Sequence, residues 1–195
     1  MNYLAHIYLS GEDHEVLIGN FIADAVKGSD WQRYSKGIQD GIHLHRSIDH
    51  FTDTHEIVKA SKSKLWERYR HYNAVIVDIF YDHFLARNWD TYHETPLNDY
   101  VKSTYNLLEE NKHIFPERIQ YLLHYMVKHN WLFNYRSIEG VQSVMNGMSR
   151  RTSFNSGMEN STEELLLYYD EFGNEFETFF PLLKEFSTSM VASFE

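Results

Sequence analysis

Four histidines and two aspartates fall within the fifteen residues GIHLHRSIDHFTDTH, 41 to 55. Wound as a helix, this segment sets His45 and Asp49 about 40° apart, with Asp53 about 80° from His45. His43 and His50 share a different face, about 140–160° from His45. An imidazole and a carboxylate one turn apart can reach one metal ion without distorting the backbone. Ile42, Ile48 and Phe51 can pack around the helix and aim the His45/Asp49 pair inward, so these two are expected as ligands.

A second group lies in VIVDIFYDHFLARNW, 75 to 89, where Asp78 and Asp82 are one turn apart in an otherwise apolar stretch. A buried carboxylate without a partner costs several kcal/mol, so each needs a cation or hydrogen-bond donors. The Asp82-His83 dipeptide adds two ligand types where two helix faces meet. A third group is GNFIADAVKG, 19 to 28, with Asp24 four residues after Asn20 in an apolar run. His6 stands alone on a short apolar segment and is the weakest candidate. Carboxylates on three buried helices, with histidines beside two of them, suit metal-assisted phosphate hydrolysis or di-iron chemistry. No Glu-x-x-His motif accompanies them, which counts against di-iron.

The elements that must position these residues read as helical. Only three prolines and nine glycines occur in 195 residues, while 43% are hydrophobic and 16% aromatic. That scarcity of punctuation favours long helices and short turns over a many-stranded sheet. Helices are expected over roughly 12–27, 31–51, 54–72, 73–89, 97–110, 117–131 and 135–150, after a short apolar segment at 2–8. Thr54 is the expected cap of the fourth, and Pro96 and Pro116 the openers of later ones. Phe172, Phe176, Phe179, Leu183 and Phe186 form a core stripe at helical spacing, and Pro181 within it is expected to kink or break that helix. The expected architecture is an all-α, single-domain bundle of about eight helices spanning 1–195.

There is no cysteine, so any metal must be held by His, Asp, Glu and water, a donor set suited to Mg²⁺, Mn²⁺ or Fe²⁺. No apolar run approaches a membrane span and the start of the chain lacks the marks of a signal peptide, so a cytoplasmic location is expected. A net charge of −10 argues against a nucleic-acid binder. Lys59, Lys62, Lys64, Arg68 and Arg70 surround one acid, Glu67, and form either a solvated helix face or a dock for an acidic partner.

The strings N-x-L-A-H near the start, GNFIADAVKG, GIHLHRSIDHFTD, VDIFYDHFLARNW and VMNGMSRR resemble, in order and over nearly the whole chain, the acyl carrier protein phosphodiesterase family. The resemblance implies an all-helical, HD-domain-like phosphohydrolase that uses Mn²⁺ or Mg²⁺ to remove 4′-phosphopantetheine from holo acyl carrier protein. It implies motif roles for Asp24, His45 with Arg46 and Asp49, Asp82 with His83, and His6. Asp24, His45, Asp49, Asp82 and His83 are then the expected ligands. Arg46 is expected to grip a non-bridging oxygen, Asp78 and His6 to serve in catalysis, and His83 or His6 to protonate the leaving group. Acyl carrier proteins are acidic, which points to the 59–70 run as their dock. The alternative activity is hydrolysis of a small phosphate ester or nucleotide at the same metal site.

Overall fold

The structure is a computed structural model that describes residues 1–152 and 155–194. Among these the regular elements are helices, with no strand. A six-residue α1 (Tyr3–Tyr8) leads into α2 (His14–Ile22), α3 (Lys36–Thr54), α4 (Glu56–Tyr69) and α5 (Asn73–Arg87). A single turn, α6 (Trp89–Tyr92), is followed by α7 (Leu97–Glu110), α8 (Glu117–Lys128), α9 (Trp131–Asn134), α10 (Ile138–Ser149), α11 (Thr162–Leu167) and the long α12 (Tyr169–Ala192). No helix of the described residues is long and apolar enough to cross a membrane.

The all-α expectation holds, and the boundaries differ where local chemistry intervenes. α2 stops at Ile22, short of the helix expected over 12–27, and Asp24 sits on a 3₁₀ turn (Ala23–Ala25) beyond it. α3 starts at Lys36 and runs past Phe51 to Thr54. Thr54 does not cap α4. Its hydroxyl donates back to His50 O, and the cap is His55, whose Nδ1 accepts from Ile57 N. Pro96 and Pro116 stand at the N-caps of α7 and α8.

Pro181 does not break α12. It lies on the exposed side, where the carbonyl left without its usual N–H partner can be hydrated. The opposite face carries Phe172, Phe176, Phe179 and Leu183, all fully buried against α3, α4 and α5. Each such side chain contributes about 1.5–3 kcal/mol of burial, so the stripe holds the helix in place across the proline.

Two glycines set the geometry that matters most for the site. A Cβ on Gly19 would meet Ile38 O at 2.0 Å, and one on Gly41 would meet Val16 O at 2.1 Å. The backbones of α2 and α3 therefore touch at a crossing that no larger residue permits. Asn20 follows Gly19, and His45 lies one turn beyond Gly41. The crossing delivers one to the other.

Candidate metal centre

α1, α2 and α3 converge on one cluster. His6 from α1 and His45 from α3 stack with ring centroids 4.1 Å apart and planes 20° from parallel. Both rings are buried, at 3% and 6% exposure. Their Nε2 atoms face Asp49, one turn after His45, with His6 Nε2 3.2 Å from Oδ1 and His45 Nε2 3.1 Å from Oδ2. Asp24 closes the outer side, its Oδ1 3.2 Å from His45 Nε2. His6, His45 and Asp49 each offer a ligand atom, all within 4.8 Å of one another.

The back of the cluster is Asn20, which is fully buried. Its Nδ2 donates to His6 O at 2.9 Å and to Ser10 Oγ at 3.0 Å. Ser10 Oγ in turn donates to His6 O. A carbonyl oxygen only accepts, so the amide orientation is fixed and Oδ1 faces the rings. Oδ1 lies 2.8 Å from His6 Nδ1 and 3.1 Å from His45 Nδ1, which is also 2.9 Å from Asn20 O.

The electrostatics are those of a site that wants a cation. Burial pushes the Asp49 carboxyl up, but the His45 and His6 imidazoles outweigh it and hold it well below the usual carboxylate range. Asp24 is also held low, chiefly by its hydrogen bond with His45. Burial works against a charge on His45, yet Asp24 and Asp49 together raise it to about 9. His6 moves the other way, lowered by burial and by its neighbour His45 despite Asp49. His6 Nε2 has Asp49 Oδ1 at 3.2 Å as its polar neighbour but makes no well-formed hydrogen bond in this buried position. A buried nitrogen without a partner costs about 1–3 kcal/mol, and a divalent ion between the two Nε2 atoms and the carboxylate would satisfy it. The donor set, two imidazoles and carboxylate oxygen, suits such an ion.

The structure does not bring Asp82 and His83 to this cluster, as the sequence expectation required. Asp82 is fully buried and spends its oxygens on α1, accepting from Asn2 N at 3.2 Å, Leu4 N at 2.8 Å and Ala5 N at 3.3 Å. Burial pushes its carboxyl up to about 7 against the downward pull of the Met1 amino group and these three N–H donors. His83 has both ring nitrogens engaged, Nδ1 with Tyr135 O at 2.7 Å and Nε2 with Tyr169 Oη at 2.8 Å. It has no free nitrogen for a metal or for a leaving group. Asp78 lies 2.9 Å from the Met1 amino nitrogen. Arg46 is exposed beside His45 and donates to Val26 O at 3.3 Å, tying down the turn that carries Asp24. The residue that sequence reasoning passed over is Asn20. Its position four before Asp24 in an apolar run was the available signal.

The 59–70 run is not the positive patch expected of a dock. Lys59 pairs with Glu56, Lys62 with Asp53, Lys64 with Glu175 and Arg68 with Glu163 and Glu164. Arg70 lies over the Trp66 ring. Counting residues only along the run missed acids that arrive from α3, α11 and α12.

Two helices thus deliver one Asp and two His residues to a common point that could hold a metal ion in an all-helical protein. A model of the acyl carrier protein phosphodiesterase family matches residues 1–183, and the chain belongs to that family. A relative from Photorhabdus laumondii subsp. laumondii is 32% identical over 186 residues, covering 95% of this chain and 94% of its own. One from Enterobacter sp. (strain 638) is 33% identical over 182 residues, covering 93% and 94%. One from Escherichia coli O6:H1 is 30% identical over 190 residues, covering 95% and 96%. All three carry the name acyl carrier protein phosphodiesterase. No solved structure matches.

Proposed function

We propose that this protein hydrolyses the phosphodiester that joins 4′-phosphopantetheine to holo acyl carrier protein, leaving the apo form, at a divalent-cation site held by His6, His45 and Asp49. The observation that carries the reading is the convergence of two buried imidazole Nε2 atoms on one carboxylate, one of them without a hydrogen-bond partner. Mn²⁺ or Mg²⁺ is the proposed ion, with Fe²⁺ compatible with the same donors. The bound cation supplies polarisation of the phosphoryl oxygens and a water of lowered pKa.

The chain's own residues supply the rest. His6, lowered in pKa by burial and by His45, stays neutral and serves as a ligand in place of the acid role expected from sequence. Asp24, whose side chain is 61% exposed, stands at the rim beside His45, where it can hold the ion or orient an attacking water. Arg46, next to His45 and exposed, has four guanidinium donors left for a non-bridging oxygen after its bond to Val26 O.

The openness of the centre supports a protein-sized substrate over a small phosphate ester. Asp24 and Asp49 are 61% and 41% exposed at their side chains. A cleft of about 1110 Å³ lies elsewhere, lined by residues such as Glu12, His14, Tyr92 and Tyr100 and by none of the cluster. Small-molecule sites bury most of their ligand, whereas an ester presented on a flexible arm needs only an accessible ion. A cytoplasmic location follows from this substrate. The test is to incubate purified protein with Mn²⁺ and holo acyl carrier protein and follow the carrier's mass. Loss of the prosthetic-group mass, abolished by chelator, supports the reading; an unchanged carrier with turnover of small phosphodiesters sinks it.

A further inference from the structure

We infer that Asn20 is the positioning residue of this centre: one buried carboxamide fixes the tautomer and orientation of both histidine ligands at once. The inference rests on reading His6 and His45 as metal ligands and goes beyond it to the group that makes them so.

Hydrogen-bond valence fixes which nitrogen of each ring carries the proton. Asn20 Nδ2 is committed to His6 O and Ser10 Oγ, so Oδ1 is an obligate acceptor. An acceptor at 2.8 Å from His6 Nδ1 and 3.1 Å from His45 Nδ1 requires a proton on each Nδ1. Asn20 O, 2.9 Å from His45 Nδ1, makes the same demand of the second ring. A neutral imidazole protonated at Nδ1 carries its lone pair on Nε2, and both Nε2 atoms point at Asp49. Metal-bound histidines generally donate their other ring N–H to a carbonyl or carboxylate, and loss of that partner typically costs about ten- to a hundredfold in metal affinity. Here two rings share one side-chain oxygen. Its loss would release His6 and leave His45 held by Asn20 O alone.

Local structure explains how Asn20 serves both rings. The Gly19–Gly41 contact brings α2 against α3 closely enough for Asn20 to reach His45. The Asn20–His6 O and Ser10–His6 O bonds then pin the C-terminal half of α1, whose other end is held by Asp82. Asn20 thus joins a helix of six residues, too short to be stable alone, to the helix that carries the other two ligands.

The test reads the rings directly. Zn²⁺ serves as a diamagnetic probe, and long-range ¹H–¹⁵N spectra of the Zn²⁺-loaded wild-type protein should show both His6 and His45 protonated at Nδ1 and coordinated through Nε2. Asn20→Ala should weaken Zn²⁺ and Mn²⁺ binding by about ten- to a hundredfold or more. Asn20→Asp keeps an acceptor for both rings and should recover part of that loss, whereas Asn20→Leu, which fills similar space without an acceptor, should not. Equal recovery by both would make the role space-filling and overturn the inference. The wild-type spectrum decides the matter even if the variants fold poorly. Either ring coordinated through Nδ1, or a folded Asn20→Ala with wild-type metal affinity, overturns this inference and leaves the ligand reading standing. A wild-type protein that binds neither ion overturns both.

Discussion

The molecule contains two Asp/His groups that look alike along the chain and differ in three dimensions. On α3, His45 and Asp49 meet His6 at a point where one buried nitrogen makes no well-formed hydrogen bond and two carboxylates reach solvent. On α5, Asp82 and His83 are both fully buried, and each polar atom is matched by a backbone group or a tyrosine hydroxyl. A satisfied polar group stabilises a fold, while an unsatisfied one aimed at a shared point marks a site for a ligand. The α5 pair, on this account, builds the platform on which α1 presents His6.

The largest effects should therefore separate the two groups. His45→Ala should lower turnover of holo acyl carrier protein by more than about a hundredfold, beyond the loss typical of an outer partner of a ligand. Its circular dichroism should remain native. Activity retained at saturating Mn²⁺ would contradict this. Asp82→Asn should act on stability first. Above about pH 7, where the buried carboxyl is ionised, it removes a charged acceptor from three buried N–H groups, and hydrogen bonds to charged groups are each worth about 1.5–3 kcal/mol. A loss of roughly 3 kcal/mol in urea unfolding is expected, and an unchanged midpoint would show that α1 is held by something else.

The pH response of the metal-free protein sharpens the comparison further. His45 is raised to about 9 in the folded state by Asp24 and Asp49, which outweigh burial. The folded state binds that proton more tightly than the unfolded state, where histidine titrates near about 6.5. This contribution is fully present below about 6.5 and is lost as pH rises through about 9. Mn²⁺ must displace the same proton, so calorimetry at pH 7.5 in buffers of different ionisation enthalpy should show about one proton released. No release would mean that the ion does not use His45. The smallest effect belongs to the 59–70 run. Lys59 is already paired with Glu56, so Lys59→Ala should leave the KM for the carrier within about twofold, as expected for an exposed pair. A large rise in KM would restore this run as the dock.

The helical class and the aromatic stripe of α12 were legible in the sequence because periodicity reports burial directly. The His45/Asp49 pair was legible for the same reason, since one turn of helix sets their spacing. His6 was legible as a candidate but not as a ligand, and the roles of Asn20 and Asp82 were not legible, because all three depend on contacts between separate elements. His6 gains its place from an α1 anchored by Asp82, and Asp82 is buried in a helix whose apolar pattern says only that a partner is needed. For Asn20 the spacing before Asp24 was the only signal, and its role appears only when its four side-chain hydrogen-bonding contacts are seen together. The paired charges of the 59–70 run show the converse, a local pattern cancelled by acids remote in sequence.

The central claim is that the ion binds at His6, His45 and Asp49 and not at the α5 pair. It is tested most directly by titrating Mn²⁺ into wild-type, His6→Ala, His45→Ala and His83→Ala proteins and counting bound ion by its paramagnetic resonance. The account predicts tight binding in the wild type and His83→Ala proteins and its loss in both His6→Ala and His45→Ala. Binding that survives in His6→Ala and His45→Ala but vanishes in His83→Ala would contradict it.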